Sequence, residues 1–240
     1  MLYKNIVKSL LLFCLCVSAA WADEASVKKG LTAKFPGSSI KSIVKTPFAG
    51  LYEVYMDGDL LYTDDKVGYL FLGNLIELKS KRNLTEESMQ KLTKVQFDTL
   101  PLDSAIKVVK GNGKRKIAVF SDPDCPFCKR FEAELKSVND ITIYTFLFPI
   151  EGLHGGATDK AKAIWCAPDR VKAWQDWIVE GIAPKNPGTC ATPLEKIAEL
   201  AGKLGIRGTP TIIMGDGRRV PGMVPAAQLE TLMATPASSK

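Results

Sequence analysis

The sequence predicts an α/β domain in the second half of the chain, preceded by a small α+β unit and a connecting helix. Three observations carry that prediction. From residue 116 onward, strand-like and helix-like segments alternate. A Cys-x-x-Cys pair, Cys125 and Cys128, falls where one of those strands gives way to a helix. Before residue 82 the apolar segments are short, β-rich and separated by turns, and residues 23–82 hold neither cysteine nor histidine.

Residues 1–22 read as a secretory signal peptide. Lys4 and Lys8 make a positive start, Leu10 to Val17 is an unbroken apolar run, and Ala20-Trp21-Ala22 offers small residues for cleavage before Asp23. The run is too short to span a bilayer. Cys14 and Cys16 leave with it. Export would put the rest of the chain where disulfides can persist.

Residues 23–82 form the first domain. Val27, Leu31 and Phe35 recur one turn apart, which predicts a helix ended by Pro36-Gly37. Strands are expected over 40–44, 51–56, 60–63, 69–72 and 75–78, with Asp57-Gly58 as a hairpin turn. Residues 83–100 are the linker, with a helix over 83–99. Thr85 is placed to cap it, and Glu86 and Glu87 face the positive end of its dipole. Met89, Leu92 and Val95 continue at helical spacing, and Pro101 marks the end.

Residues 101–240 form the second domain. A strand is expected over 116–120, a helix over 126–138 and a strand over 141–148. Helices follow over 157–180 and 194–204, the latter with Leu194, Ile197, Ala201 and Leu204 on one face. A strand over 211–214, a turn at Asp216-Gly217, a strand beginning Arg219–Val220 and a helix over 225–233 complete the chain.

The composition is that of a globular protein, 46% hydrophobic and 24% charged over 240 residues. The formal net charge is +6, but the cations are interspersed with acids. Without a clustered basic stripe, nucleic acid is not an expected partner. Six cysteines are too few for a disulfide-dense mini-protein, so each needs its own explanation.

Cys125 falls at the N-cap of the expected helix, where the dipole and free backbone N–H groups favour a thiolate, the attacking species. Cys128 lies one turn inward, within reach of the first sulfur. Pro126 fits the first helical position, where a missing N–H costs little. In this division of labour Cys125 attacks a disulfide and Cys128 resolves the product, or a freed thiol of the substrate attacks in its place. A zinc site lacks ligands, because Cys166 and Cys190 are single and His154 is the only histidine. Haem attachment would need His where Lys129 stands. No metal or cofactor is expected, and a purely structural short-loop disulfide is the remaining alternative for this pair.

Cys166 and Cys190 flank the helical insert. The pairing logic of exported chains favours a structural bridge, with a second redox pair as the alternative. Asp122 and Asp124 are candidates for tuning the thiols or for plain loop and cap roles, Asp122 being nearer the strand end. His154 lies in a Gly-rich loop, where a solvated side chain is the ordinary reading and a role near the dithiol the alternative. Thr209-Pro210 opens a strand, which by itself is an ordinary place for proline.

Several stretches together carry a family resemblance: Cys125-Pro126-Phe127-Cys128, Phe148-Pro149 with Gly152-Leu153, Lys162 to Ala167, Leu204 to Pro210, and Val220-Pro221-Gly222. On them the chain resembles the DsbC/DsbG family of periplasmic thiol:disulfide isomerases, and the DsbC branch more than the DsbG branch outside the dithiol. The resemblance implies a thioredoxin-like catalytic domain with a helical insert, an N-terminal dimerisation domain and a V-shaped homodimer with an apolar cleft. It implies Cys125 as nucleophile, Cys128 as resolving thiol, Cys166–Cys190 as a structural bridge, and Thr209 with a cis Pro210 as the backbone platform for substrate. The implied partners are misfolded or misoxidised exported proteins and a membrane thiol reductase of the DsbD type.

One departure stands out. Gly-Tyr or Pro-Tyr is usual between the cysteines of this family, and this chain has Pro126-Phe127. Pro126 removes an N–H donor and Phe127 a hydroxyl. The expected activity is isomerisation of wrong disulfides through a reduced dithiol, with chaperone-like client binding. The rivals are a DsbG-like reductase of oxidised single cysteines, a holdase and a thiol oxidase.

Overall fold

In a computed structural model the chain is described over residues 18–48 and 50–235, with side chains from residue 24 onward. The expected signal peptide lies outside the described residues as far as residue 17, and Cys14 and Cys16 with it. The chain divides into two compact units, residues 1–89 and 90–240.

In the first unit, helix α1 (Ser18–Lys34) precedes an antiparallel sheet of β1 (Ile40–Lys45), β2 (Leu51–Met56), β3 (Asp59–Asp64) and β4 (Leu70–Phe71), in that spatial order. Val27 and Leu31, one turn apart, are fully buried against Tyr52, Val54 and Met56, which alternate along β2 and so share a face. Asp57 and Gly58 both have positive φ, as a two-residue hairpin turn requires. A small hairpin of β5 (Ile76–Glu77) and β6 (Arg82–Asn83) follows.

Helix α2 is shorter than the spacing predicts, Leu84–Leu92 rather than 83–99. Its cap also differs. The Asn83 side-chain oxygen accepts the Glu86 N–H at 3.1 Å. Thr85 is buried, its hydroxyl 2.5 Å from the Tyr62 hydroxyl and accepting the Leu75 N–H at 2.8 Å. The helix stops early because Val95, Phe97 and Leu100 bury themselves in the core of the second unit. The Val95 N–H donates to the Gly217 carbonyl at 2.9 Å, and Phe97–Thr99 forms one 3₁₀ turn. Tertiary burial thus outweighs helical periodicity here.

The second unit is built on a five-stranded sheet with β7 (Ile106–Lys110), β8 (Arg115–Ser121), β9 (Ile141–Leu147), β10 (Thr211–Met214) and β11 (Arg219–Pro221), ordered β11-β10-β8-β9-β7. Only β8 and β9 run parallel. Side chains alternate between two cores. Ile117, Val119, Ile141 and Ile143 face α3 (Pro126–Leu135) and α7 (Ala226–Ala234). Ala118, Phe120, Tyr144 and Phe146 face α4 (Ala157–Trp165), α5 (Arg170–Glu180) and α6 (Leu194–Leu204). The helices expected over 157–180 are two, α4 and α5, separated at residues 166–169, where Asp169 caps α5 by accepting the Lys172 N–H. β7 was not expected. Its lysines and half-exposed pattern suit an edge strand and hide it from a search for apolar runs.

Candidate active site at the dithiol

The dithiol sits at the carboxyl end of the sheet's central strands. β8 ends at Ser121, the chain turns through Asp122-Pro123-Asp124, and α3 begins at Pro126 with Cys125 as N-cap. Both thiols are free, Cys125 4% exposed and Cys128 1%. The Cys125 sulfur makes no capping bond to the helix and instead donates to the Thr209 carbonyl at 3.4 Å. Thr209 and Pro210 are joined by a cis peptide bond at the start of β10, which pairs with β8. Residues 84 positions apart in sequence thereby meet at the sulfur.

The two thiols differ in setting. Burial pushes the Cys128 thiol up to about 12, and the neighbouring Cys125 adds to the rise. Hydrogen bonds from the Ser121 side chain, the Asp122 N–H and the Thr209 side chain oppose it. Ser121 was not anticipated. It lies outside the Cys-x-x-Cys motif, and only the turn of the chain brings it onto the inner sulfur.

Asp122 is fully buried and organises the turn. One carboxylate oxygen accepts the Asp124 N–H at 2.8 Å. The other accepts the Ile150 N–H at 2.7 Å and lies 3.0 Å from His154 Nδ1. The carboxylate therefore ties the approach to Cys125 to the loop after β9, and the lone histidine is held at that joint. Asp124 has a separate partner, Lys160, at 2.6 Å. Helix α3 is fastened to α5 by the Trp174 indole N–H, which donates to Glu132 at 2.9 Å. The Trp177 indole N–H likewise donates to the Pro123 carbonyl at 2.8 Å.

Cys166 and Cys190 are disulfide-bonded, with Cα atoms 5.6 Å apart. The bond joins the end of α4 to the loop before α6 and so encloses α5. This pair is bonded, whereas Cys125 and Cys128 are free. Among the described residues no group of three or more His, Cys, Asp or Glu side chains could hold a metal ion. None of their helices is long and apolar enough to cross a membrane.

Geometry of this kind has known counterparts. Residues 102–235 match the thioredoxin-like domain family, and residues 18–86 match the N-terminal domain of disulfide bond isomerase proteins. A probable thiol:disulfide interchange protein DsbC of Bordetella parapertussis is 43% identical over 205 residues, covering 85% of this chain and 72% of that protein. The thiol:disulfide interchange protein DsbC of Escherichia coli is 28% identical over 234 residues, covering 94% and 95%. A crystal structure of a disulfide interchange protein from Neisseria gonorrhoeae superposes with a TM-score of 0.56 at 46% identity, covering 58% of this chain and 100% of that one. The second unit is a thioredoxin-like oxidoreductase domain, and the chain belongs to the DsbC family of thiol:disulfide interchange proteins.

Proposed function

We propose that the protein is a periplasmic disulfide isomerase that acts on misfolded or misoxidised exported proteins through a reduced Cys125–Cys128 dithiol. The observation that carries this reading is the contrast within the dithiol. Cys125 stands at a helix N-terminus beside the Thr209–Pro210 backbone, while Cys128 is held protonated by burial.

The Cys125 thiolate attacks a client disulfide. A Cys125–client disulfide forms, the client S–S bond breaks, and a client thiolate leaves. A second client thiolate then attacks the client sulfur of this bond, expelling the Cys125 thiolate and forming a new client disulfide with no net change in electrons. Escape through Cys128 is the competing route. It forms the Cys125–Cys128 disulfide, reduces the client by two electrons, and needs a membrane thiol reductase of the DsbD type to restore the dithiol. A resolving thiol pushed up to about 12 presents little thiolate at neutral pH, which lengthens the life of the mixed disulfide and favours reshuffling over the DsbG-like reductase reading.

Thr209 and Pro210 are assigned to hold the client backbone beside Cys125, and Cys166–Cys190 to brace the insert. The N-terminal unit over 23–82 is assigned to dimerisation, with 83–100 as linker and 101–240 as the catalytic domain. The edge strand β4 supports the homodimer, because Leu70 and Phe71 within it and Tyr69 and Leu72 beside it are exposed. Chaperone-like binding of clients belongs to the same reading. Recovery of a scrambled multi-disulfide client tests the whole. The wild type restores native activity and Cys125→Ala does not; equal recovery with both proteins overturns the proposal.

A further inference from the structure

The rim of the dithiol carries two cations that no carboxylate neutralises, and we infer that this rim selects client segments with acidic residues beside the reacting cysteine. The inference deepens the proposed function and rests on it.

The Lys129 N–H donates to the Cys125 carbonyl at 3.1 Å, so Lys129 lies one helical turn beyond the nucleophile and on the same face of α3. Its ammonium is 5.4 Å from the centre of the Trp177 ring. Arg130 places its guanidinium carbon 5.2 Å from the centre of the Phe127 ring, and Phe127, between the two cysteines, is 52% exposed. Aromatic faces position both cations without cancelling their charge. Among the described residues no ion pair joins Lys129 or Arg130 to an acid.

The nearby acids are committed elsewhere. Asp124 pairs with Lys160, whose ammonium also lies 4.7 Å from the centre of the Trp177 ring. Asp122 is buried on backbone N–H groups and His154. Glu151 accepts the N–H groups of Gly156 and Thr158 at the start of α4. Glu132 accepts from Trp174 and Glu134 from the Ala226 N–H. What remains toward solvent is Lys129, Arg130 and the positive end of α3, framing an exposed aromatic ring. An acidic side chain next to a client cysteine meets these charges as its sulfur reaches Cys125. A basic one is repelled, and the effect fades beyond a Debye length of about 8 Å at physiological salt.

The test uses the reduced full-length protein and three cysteine peptides that differ only in flanking Asp, Asn or Lys. Each carries its cysteine as a pyridyl disulfide. Attack by the Cys125 thiolate forms the Cys125–peptide bond, breaks the peptide–pyridyl S–S bond and releases thiopyridone, whose absorbance gives the rate. At low salt the Asp peptide should react about tenfold faster than the Lys peptide, within the range of electrostatic steering. That ratio should fall toward unity in high salt and invert in the Lys129→Glu, Arg130→Glu double variant. Because the ratio is internal to each protein, a general loss of activity in the variant cancels. Equal Asp and Lys rates in the wild type, or a ratio that the double variant leaves unchanged, overturn the inference alone. No Cys125-dependent reaction with the neutral Asn peptide overturns the dithiol reading itself, and the inference falls with it.

Discussion

Cys128 shows how one side chain's surroundings set both chemistry and stability. Its thiol is raised from an ordinary value of 9.0 to about 12 because burial disfavours the thiolate. An acid whose folded pKa is raised keeps its proton at a pH where the unfolded chain loses it. The stabilisation is therefore complete below about pH 9 and is lost progressively as pH rises toward 12. Urea unfolding of the reduced protein should show stability falling between pH 9 and 11 by up to about 1.4 kcal/mol per pH unit more than in Cys128→Ala. Parallel pH profiles for the two proteins would show that the inner thiol is not protected. Asp122 makes the complementary point: three groups donate to or lie against its carboxylate, which lets this candidate for tuning the thiols be fully buried.

Among the elements, the insert of α4, α5 and the loop to α6 is closed by the Cys166–Cys190 bond, which the proposed function assigns as its brace. The bridged cysteines are 24 positions apart, for which chain entropy sets a stabilisation of about 3.5 kcal/mol. The Cys166→Ser, Cys190→Ser double variant should lose up to that amount in denaturant unfolding. Its Cys125 should still react with a pyridyl disulfide peptide, because α3 follows directly on β8 and β10 pairs with β8 in the sheet. A variant of wild-type stability would show that the bridge braces nothing. Helix α2 makes a different case. Asn83 caps it, and Thr85, at a good capping position by spacing alone, is drawn inward by the Tyr62 hydroxyl.

For the whole molecule, the division of labour between the units is the matter to test. The first unit carries exposed apolar side chains around its edge strand, Tyr69, Phe71 and Leu72 being more than half exposed. An open edge with such side chains is a pairing surface. Phe71→Lys with Leu72→Lys should halve the mass measured by sedimentation equilibrium and impair recovery of scrambled clients. Reaction of Cys125 with a small peptide disulfide should persist, since the dithiol is built entirely within the second unit. A double variant that remains dimeric would remove β4 from the interface.

The strand β10 (Thr211–Met214) and the helix α6 (Leu194–Leu204) match the bounds read from the sequence, because each is announced by its own apolar pattern and a Pro or Gly at its edge. The placement of Cys125 at a strand-to-helix junction was legible for the same reason, since a change of period is a local signal. β7 and the early end of α2 were not legible. Each depends on what a segment meets across the fold: an open sheet edge or a hydrophobic core. By itself the sequence determined the family, the α/β order and the cysteine that opens α3, all of which are written in residues near one another along the chain. Only the tertiary structure decided that Thr209 reaches the Cys125 sulfur, that Ser121 faces Cys128 and that His154 meets Asp122. Those contacts join segments distant in sequence, and no local periodicity records them.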